Sequence, residues 1–537
     1  MKQIILLLEE NRERAYLVWL LALAALLYFP GLGSRDFWAP VEPRYAEIAR
    51  VMFVKGEWIV PTANGALYTD KPILYFWLVL VGSQVAGSVN EWTVRLPSAL
   101  SALGLVLTTY ALGRELFTPR VGFLAAAILA TTARVLWEGR WAHTDIPFTF
   151  FFTLALLFFC RAILRTGERK DFLLGYTLIA LATLTKGLIG VALPGLILLA
   201  FAAARRDWRA ILKWRVPSGA LIFFLIAAPW FASVSWATQG KWLRDFVLIH
   251  HIQRYASGYG HREPFYYYFW NLPLDLLPWT VFAVPALFAC RRRLSSLKEP
   301  RNLFLLLWFV AVFVFFSFSR SKRGLYLLPL FPPAAIFIAS YFDGLIGGDA
   351  SQSVLYRSAA GIFFNLLWLG SLAAPFVAWR LQPEFFWLSL PFALAVAAGG
   401  LATVMAVRRR RPSHVFLATV STMLAGMLYL SLWALPFIDR YKSARPFAAL
   451  VKRTVPPALP LFVYADTMTG FNFYAEREVV PVLRSEADLD DAMSRNRAGY
   501  LLIKERDLSE TEKRGAIRTV AEAQIGERKW YLTTWGE

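Results

Sequence analysis

Apolar runs of about 17–22 residues, the length that crosses ~30 Å of hydrocarbon, recur along most of this chain. Lipid cannot satisfy a backbone N–H or C=O, so such runs are expected to be helices. They fall at residues 15–31, 95–112, 121–136, 147–163, 172–187, 188–204, 217–237, 270–290, 302–318, 325–345, 357–378, 387–407 and 414–436. The pattern predicts an α-helical polytopic membrane protein of about thirteen transmembrane helices. The first run follows Arg12 and Arg14 and lacks a small-residue cleavage site, so it reads as a retained span rather than a signal peptide. A further apolar segment, 73–88, is short and is interrupted by Gly82, Ser83 and Gln84. If it crossed the membrane, the Arg-rich loops at 161–170, 205–215 and 291–301 would lie outside. If it lies in the interface, they all fall inside, as the positive-inside rule requires. The second arrangement puts the N-terminus in the cytoplasm and the C-terminal tail outside.

After Pro436 the pattern changes. Residues 438–537 mix charged, helix-like segments with the strand-like runs 461–465 and 499–503. The expected organisation is a membrane domain, 1–437, whose first outer loop is 32–94, followed by a small soluble α/β domain, 438–537. No internal repeat or long linker interrupts it.

Composition agrees with this picture: the 537 residues are 57% hydrophobic and 16% aromatic, with mean hydropathy +0.46, which excludes a water-soluble protein. The net charge of +20 comes largely from basic clusters between spans, among them Arg205, Arg206, Arg209, Lys213 and Arg215, Arg291–Arg293, and Arg408–Arg411. No aromatic-interleaved basic domain occurs, so nucleic acid is not an expected partner. Cys160 and Cys290 are too few and too poorly placed for a disulfide framework.

Charges left over by the positive-inside rule share the predicted outer side. Loop 32–94 holds Asp36, Glu42, Arg44, Glu47, Asp70 and Lys71; a second holds Glu138, Arg140, His143 and Asp145; Lys186 lies at a third turn. Loop 238–269 holds Arg244, His250, His251, Arg254, His261, Arg262 and Glu263, and another holds Arg320, Lys322 and Arg323. Each has an ordinary structural reading. Glu42, Arg44 and Glu47 suit helical pairing, and Asp145 before Pro147 suits a helix start. Their gathering on one side favours an anionic ligand, since Arg and Lys bind phosphate strongly. Four of the five histidines fall here, but without the spacing of a zinc site.

Specific motifs accompany these charges. Trp38-Ala-Pro-Val-Glu-Pro-Arg-Tyr-Ala-Glu-Ile-Ala-Arg50, Gly56-Glu-Trp-Ile-Val-Pro61, Asn64-Gly65 and Lys71-Pro72 are followed by Arg95-Leu-Pro97, Thr185-Lys-Gly187, Pro264-Phe-Tyr-Tyr-Tyr268, Leu277-Pro-Trp279 and Tyr326 before Leu328-Pro329. Together they resemble the dolichyl-phosphate-mannose protein mannosyltransferase family of membrane glycosyltransferases, in the bacterial branch that contains the lipid A aminoarabinose transferase. The resemblance is close over about 15–345 and one of layout beyond.

It implies a GT-C architecture with juxtamembrane helices in the first outer loop. It also implies a site at the outer face of a bacterial inner membrane, where sugar passes from a polyprenyl-phosphate donor to a glycolipid such as lipid A, or to a protein. Carried over residue by residue, Glu42, Asp145 and Asp70 are the catalytic carboxylates. Lys71, Arg254, Tyr326 and Lys322 bind the donor phosphate, and Arg44, Tyr45 and His261 bind substrate. A divalent metal at Asp70 or Glu42 is left open. One departure stands out: the family usually reads Asp-Glu where this chain has Val41-Glu42. Glu42 leads as the base for a hydroxyl acceptor, with Asp145 next, while a phosphate acceptor needs none. A lipid-linked sugar transporter and a non-catalytic lipid-binding scaffold are the competing readings. The transporter would require ionisable residues near mid-membrane.

Overall fold

The computed structural model describes residues 2–257, 261–291, 298–348, 353–466, 469–512 and 517–536. The side chain of Cys290 and the Arg291–Arg293 cluster lie outside the side chains described. The fold is helical, and every apolar run of the sequence becomes helix. Among the described residues eight helices are long and apolar enough to cross a membrane: Glu91–Leu116, Asp145–Thr166, Val216–Ala237, Pro300–Phe318, Gly324–Ile346, Val354–Leu381, Phe385–Arg408 and Pro412–Lys442. A ninth is broken, Tyr267–Asp275 meeting Thr280–Ala289 at 108°. The remaining expected spans are shorter or carry charge at an end, as in Pro119–Ala130, Arg169–Lys186 and Ile189–Ala204. Residues Leu74–Ala86 form a helix about 20 Å long, too short for the hydrocarbon layer.

The chain divides into two compact units. The first comprises Met1–Pro30, Thr69–Tyr75 and Pro97–Ala434, and contains the bulk of the apolar helices. Its helices approach closely where side chains are smallest. A Cβ at Gly113 would lie 2.7 Å from the Cα of Gly122, so Glu91–Leu116 and Pro119–Ala130 meet backbone to backbone. Large rings fill the wider gaps, Trp279 against Phe282, Phe342 and Phe416, and Trp308 against Phe152 and Phe304.

The second unit comprises Gly31–Tyr68, Phe76–Leu96 and Leu435–Glu537, joining most of the first loop to the C-terminal domain. In chain order its strands are β1 (Thr62–Ala63), β2 (Ala66–Leu67), β3 (Leu461–Tyr464), β4 (Val482–Leu483), β5 (Gly499–Lys504), β6 (Arg518–Ile525) and β7 (Arg528–Trp535). The larger sheet has the order β4-β3-β5-β7-β6, with β3 parallel to β4 and β5, and β7 antiparallel to β5 and β6. Apolar clusters around Leu502 and Phe471, and around Ile503 and Leu489, cover alternate side chains of β5. The β1–β2 hairpin turns on Asn64 and Gly65, both at positive φ, as a two-residue turn requires. The Asn64 side chain then accepts from the Val480 amide at 2.7 Å and from Asn472 at 2.9 Å. The loop is thereby hydrogen-bonded to the C-terminal sheet domain.

At Gly122 a Cβ would already lie 2.4 Å from the Tyr110 carbonyl oxygen. Gly122→Leu is therefore expected to cost at least the ~1–3 kcal/mol of an overpacked core, seen as a lower melting temperature in detergent. An unchanged melting temperature would show that the two helices do not need backbone contact.

Candidate functional site

In the second unit the helix Glu42–Lys55 starts at Val41, whose side chain offers no cap, and has Pro in its first turn. Glu42 is fully buried. Arg35 donates to it at 2.6 and 3.1 Å, and Arg95 at 2.8 and 3.0 Å, so two guanidinium forks hold one carboxylate. Arg95 also donates to the carbonyls of Leu32, Arg35 and Asp36, fixing the chain just ahead of the helix. Burial pushes the Glu42 carboxyl up, but Arg35 and Arg95 outweigh it and hold it at about 2. The carboxylate expected to lead as base is thus engaged on both oxygens and sealed from solvent. Arg44 is half-buried, and the buried ring of Tyr45 packs edge-on against Tyr68 and Phe76.

The same unit holds a second network. Trp38 Nε1 donates to Asp439 at 2.6 Å, the Asp36 amide donates to the same carboxylate at 2.8 Å, and the Phe37 amide donates to the Tyr474 hydroxyl at 2.7 Å.

In the first unit the charges gather around two carboxylates. Asp70 accepts from Arg254 at 2.7 Å and from Lys71 at 3.2 Å, with His250 at 3.3 Å. A wider π turn at Leu248–Gln253, inside the helix that begins at Lys241, precedes Arg254. Such turns are common at functional sites. Thr69 completes the cluster, 3.1 Å from the other His250 nitrogen. Burial raises the Asp70 carboxyl, but Lys71, then His250 and Arg254, hold it well below the usual carboxylate range. Beside it His251 is pushed down by burial and further by Lys71, His250 and Arg254, against a bond to the Phe246 carbonyl.

The second centre is Asp145, which pairs with Lys186 and with His143. The Lys186 ammonium also lies 5.0 Å from the Phe148 ring and 5.1 Å from that of Tyr326. The two centres adjoin through Gly187: at φ 92°, it leaves room where a Cβ would lie 2.7 Å from His251. Behind Asp145, Arg134 bridges Glu138 at 3.2 Å and Asp275 at 2.6 Å.

The structure thus brings Asp70, Lys71 and Arg254 into contact and links Asp145 to Tyr326 through Lys186. It places Lys322 differently from the expectation. That ammonium is buried and donates to the carbonyls of Ser319 and Glu263, which commits it to holding two loops together rather than to a phosphate. His261 is exposed beside Arg323. Among the described residues no three His, Cys, Asp or Glu side chains assemble a metal-binding group. The partners of Asp70 and Glu42 are cations, which do not fit a divalent ion, so no step is derived through one.

Sequence reasoning assigned no role to Lys186, His143 and His250. Lys186 carried a signal, a lone cation in an apolar run within Thr185-Lys-Gly187. Arg35 carried none.

The profile of the dolichyl-phosphate-mannose-protein mannosyltransferase family matches residues 70–233. An undecaprenyl phosphate-alpha-4-amino-4-deoxy-L-arabinose arabinosyl transferase of Pseudomonas paraeruginosa is 32% identical over 401 residues, 73% of this chain and 72% of the relative. Its counterpart in Shewanella sediminis is 29% identical over 85% of this chain and 83% of the relative. In fold, the chain is similar to the crystal structure of ArnT from Cupriavidus metallidurans bound to undecaprenyl phosphate (TM-score 0.79, 22% identity, 96% of this chain and 98% of the other). It is more distantly similar to the oligosaccharyltransferase of Archaeoglobus fulgidus (TM-score 0.56, 12% identity, 93% and 70%). The fold is the GT-C architecture, with a small C-terminal sheet domain.

Removing the acid between Arg35 and Arg95 strands two buried cations. Glu42→Gln is expected to destabilise the protein by about 3–5 kcal/mol in denaturant unfolding. Because the folded value lies below the ordinary 4.5, the Glu42 contribution is complete above that pH and drains away as pH falls toward 2. The variant should lose that part of the acid dependence. An equally acid-sensitive Glu42→Gln protein would remove Glu42 from this role.

Proposed function

The chain belongs to the family of the undecaprenyl phosphate-aminoarabinose arabinosyl transferases, membrane glycosyltransferases of the mannosyltransferase class, and on that footing we propose that it moves a sugar from an undecaprenyl-phosphate-type donor to a phosphate on an acceptor glycolipid such as lipid A. The attacking oxygen forms a bond to the anomeric carbon while the bond to the polyprenyl phosphate breaks, its electron pair leaving on the phosphate, with inversion. Donors aimed at the leaving oxygens lower that barrier. Lys71 and Arg254, adjoining Asp70, supply them, with the Tyr326 hydroxyl a third. Asp70 holds the two cations in register, and Asp145 with His143 holds Lys186 over the Tyr326 ring. The protein sits in the bacterial inner membrane, with its N-terminus cytoplasmic and this site and the C-terminal domain facing outward, which leaves the Arg-rich loops inside.

One observation carries the choice of acceptor. Asp70, Asp145 and Glu138 are each engaged by a cation, which favours carboxylates that act as anchors rather than as bases. A hydroxyl acceptor needs a proton acceptor in the transition state. A phosphate arrives already ionised.

Purified protein given radiolabelled polyprenyl-phosphate sugars and a phosphorylated glycolipid is expected to label the glycolipid. Lys71→Ala and Arg254→Ala should each lower kcat/KM by about 10²–10³, the effect of losing one leaving-group donor. Absence of transfer from every donor sinks the reading. The acid limb of the rate profile should follow the acceptor, near the phosphomonoester value of ~6, and move with the acceptor when its phosphate titrates elsewhere. A limb that stays in place whatever the acceptor would instead reveal an enzymic base.

A further inference from the structure

Next to Arg254 two hydrogen-bonded loops form a basic edge outside the donor cluster proposed above. The Arg320 amide donates to the Tyr255 carbonyl at 3.1 Å, and the Glu263 amide to the Arg320 carbonyl at 3.3 Å. The Lys322 amide donates to the His261 carbonyl at 3.0 Å, and Arg262 and Ser321 form an antiparallel bridge. Inside this pair of loops the Lys322 ammonium ties Glu263 to Ser319. Arg320 and Arg262 are exposed, and Arg323 is half-buried against His261. Glu263 is the one acid on this edge. Immediately following in the chain, Phe265, Phe269 and Trp270 are 70%, 64% and 51% exposed, with Tyr266 beside them.

Exposed aromatics on a bent helix suit the headgroup level of a bilayer, where rings anchor and water is near. Guanidinium groups at that level fit phosphate oxygens two at a time. Resting on the acceptor reading above, we infer that Arg320 and Arg323, flanked by Arg262, bind a phosphate on the headgroup of the acceptor lipid. Charge complementarity and continuity with the Arg254 cluster support this occupant. The edge presents three guanidinium groups to one carboxylate, and its backbone is hydrogen-bonded to the residue that follows Arg254.

The test uses the full-length protein in zwitterionic nanodiscs. The probes are a glycolipid with a phosphomonoester headgroup, the same glycolipid dephosphorylated, phosphatidylglycerol and polyprenyl phosphate. The intact protein is expected to bind the phosphorylated probe about tenfold more tightly than its dephosphorylated form, the worth of one charge-assisted bond. Arg320→Gln with Arg323→Gln should erase that preference while changing polyprenyl-phosphate binding by less than about twofold, and the double Arg→Lys variant should keep part of it. A preference that survives the double Gln variant overturns the inference. So does an equal loss for polyprenyl phosphate, or an equal preference for phosphatidylglycerol, which would make the edge a general anionic-lipid contact. Binding is read without turnover, so a protein that shows this preference but transfers no sugar refutes the proposed reaction and leaves the phosphate site standing.

Discussion

A carboxylate can be buried in an oily helical protein only if cations meet it, because the desolvation of an unpaired charge is worth more than most packing gains. Four centres among the described residues are organised by that constraint. Glu42 sits between Arg35 and Arg95, Asp70 between Lys71, Arg254 and His250, Asp145 between Lys186 and His143, and Arg134 bridges Glu138 and Asp275. Removing the carboxylate takes the counter-charge from its cations, and cations held in place are what a preorganised site for a charged leaving group needs.

The clusters differ in what remains after pairing. Around Glu42 the charges close on themselves, and the surplus guanidinium N–H groups of Arg95 go to backbone carbonyls of the first loop. The carboxylate and its arginines hold the loop together, while the β1–β2 hairpin fastens it to the C-terminal sheet through Asn64. Around Asp70 the count is the same, one carboxylate to a lysine and an arginine, but a histidine joins them and the side chains are less deeply buried. The same residue type thus sits in a sealed pairing in one unit and in a more open one in the other.

Much of this was legible in the sequence, unevenly. Lys71, Arg254 and Tyr326 could be named because the motifs around them resemble the family's, a likeness that is visible in one dimension. Asp145 was visible as a charge beside an apolar run, though its pairing with Lys186 joins residues far apart in the chain. Glu42 was visible too, but its partners were not. Nothing local marks Arg35 and Arg95 as the partners that close its two oxygens, and a free carboxylate and a clamped one have the same letter. Lys322, a phosphate candidate by resemblance, has its ammonium turned inward onto two carbonyls, which its sequence neighbours do not announce.

By itself the sequence determined the medium, the helical class and the residues able to carry charge chemistry. Those follow from period, length and composition, which each segment expresses without help from the others. The tertiary structure decided which charges meet, which carboxylates are anchors, and which cations are left to face a ligand. It also grouped the first loop with the C-terminal domain, where chain order had suggested a boundary at the last span. The physical reason is that protonation, hydrogen bonding and electrostatic balance depend on distances of a few ångströms between groups hundreds of residues apart, and only folding sets those distances.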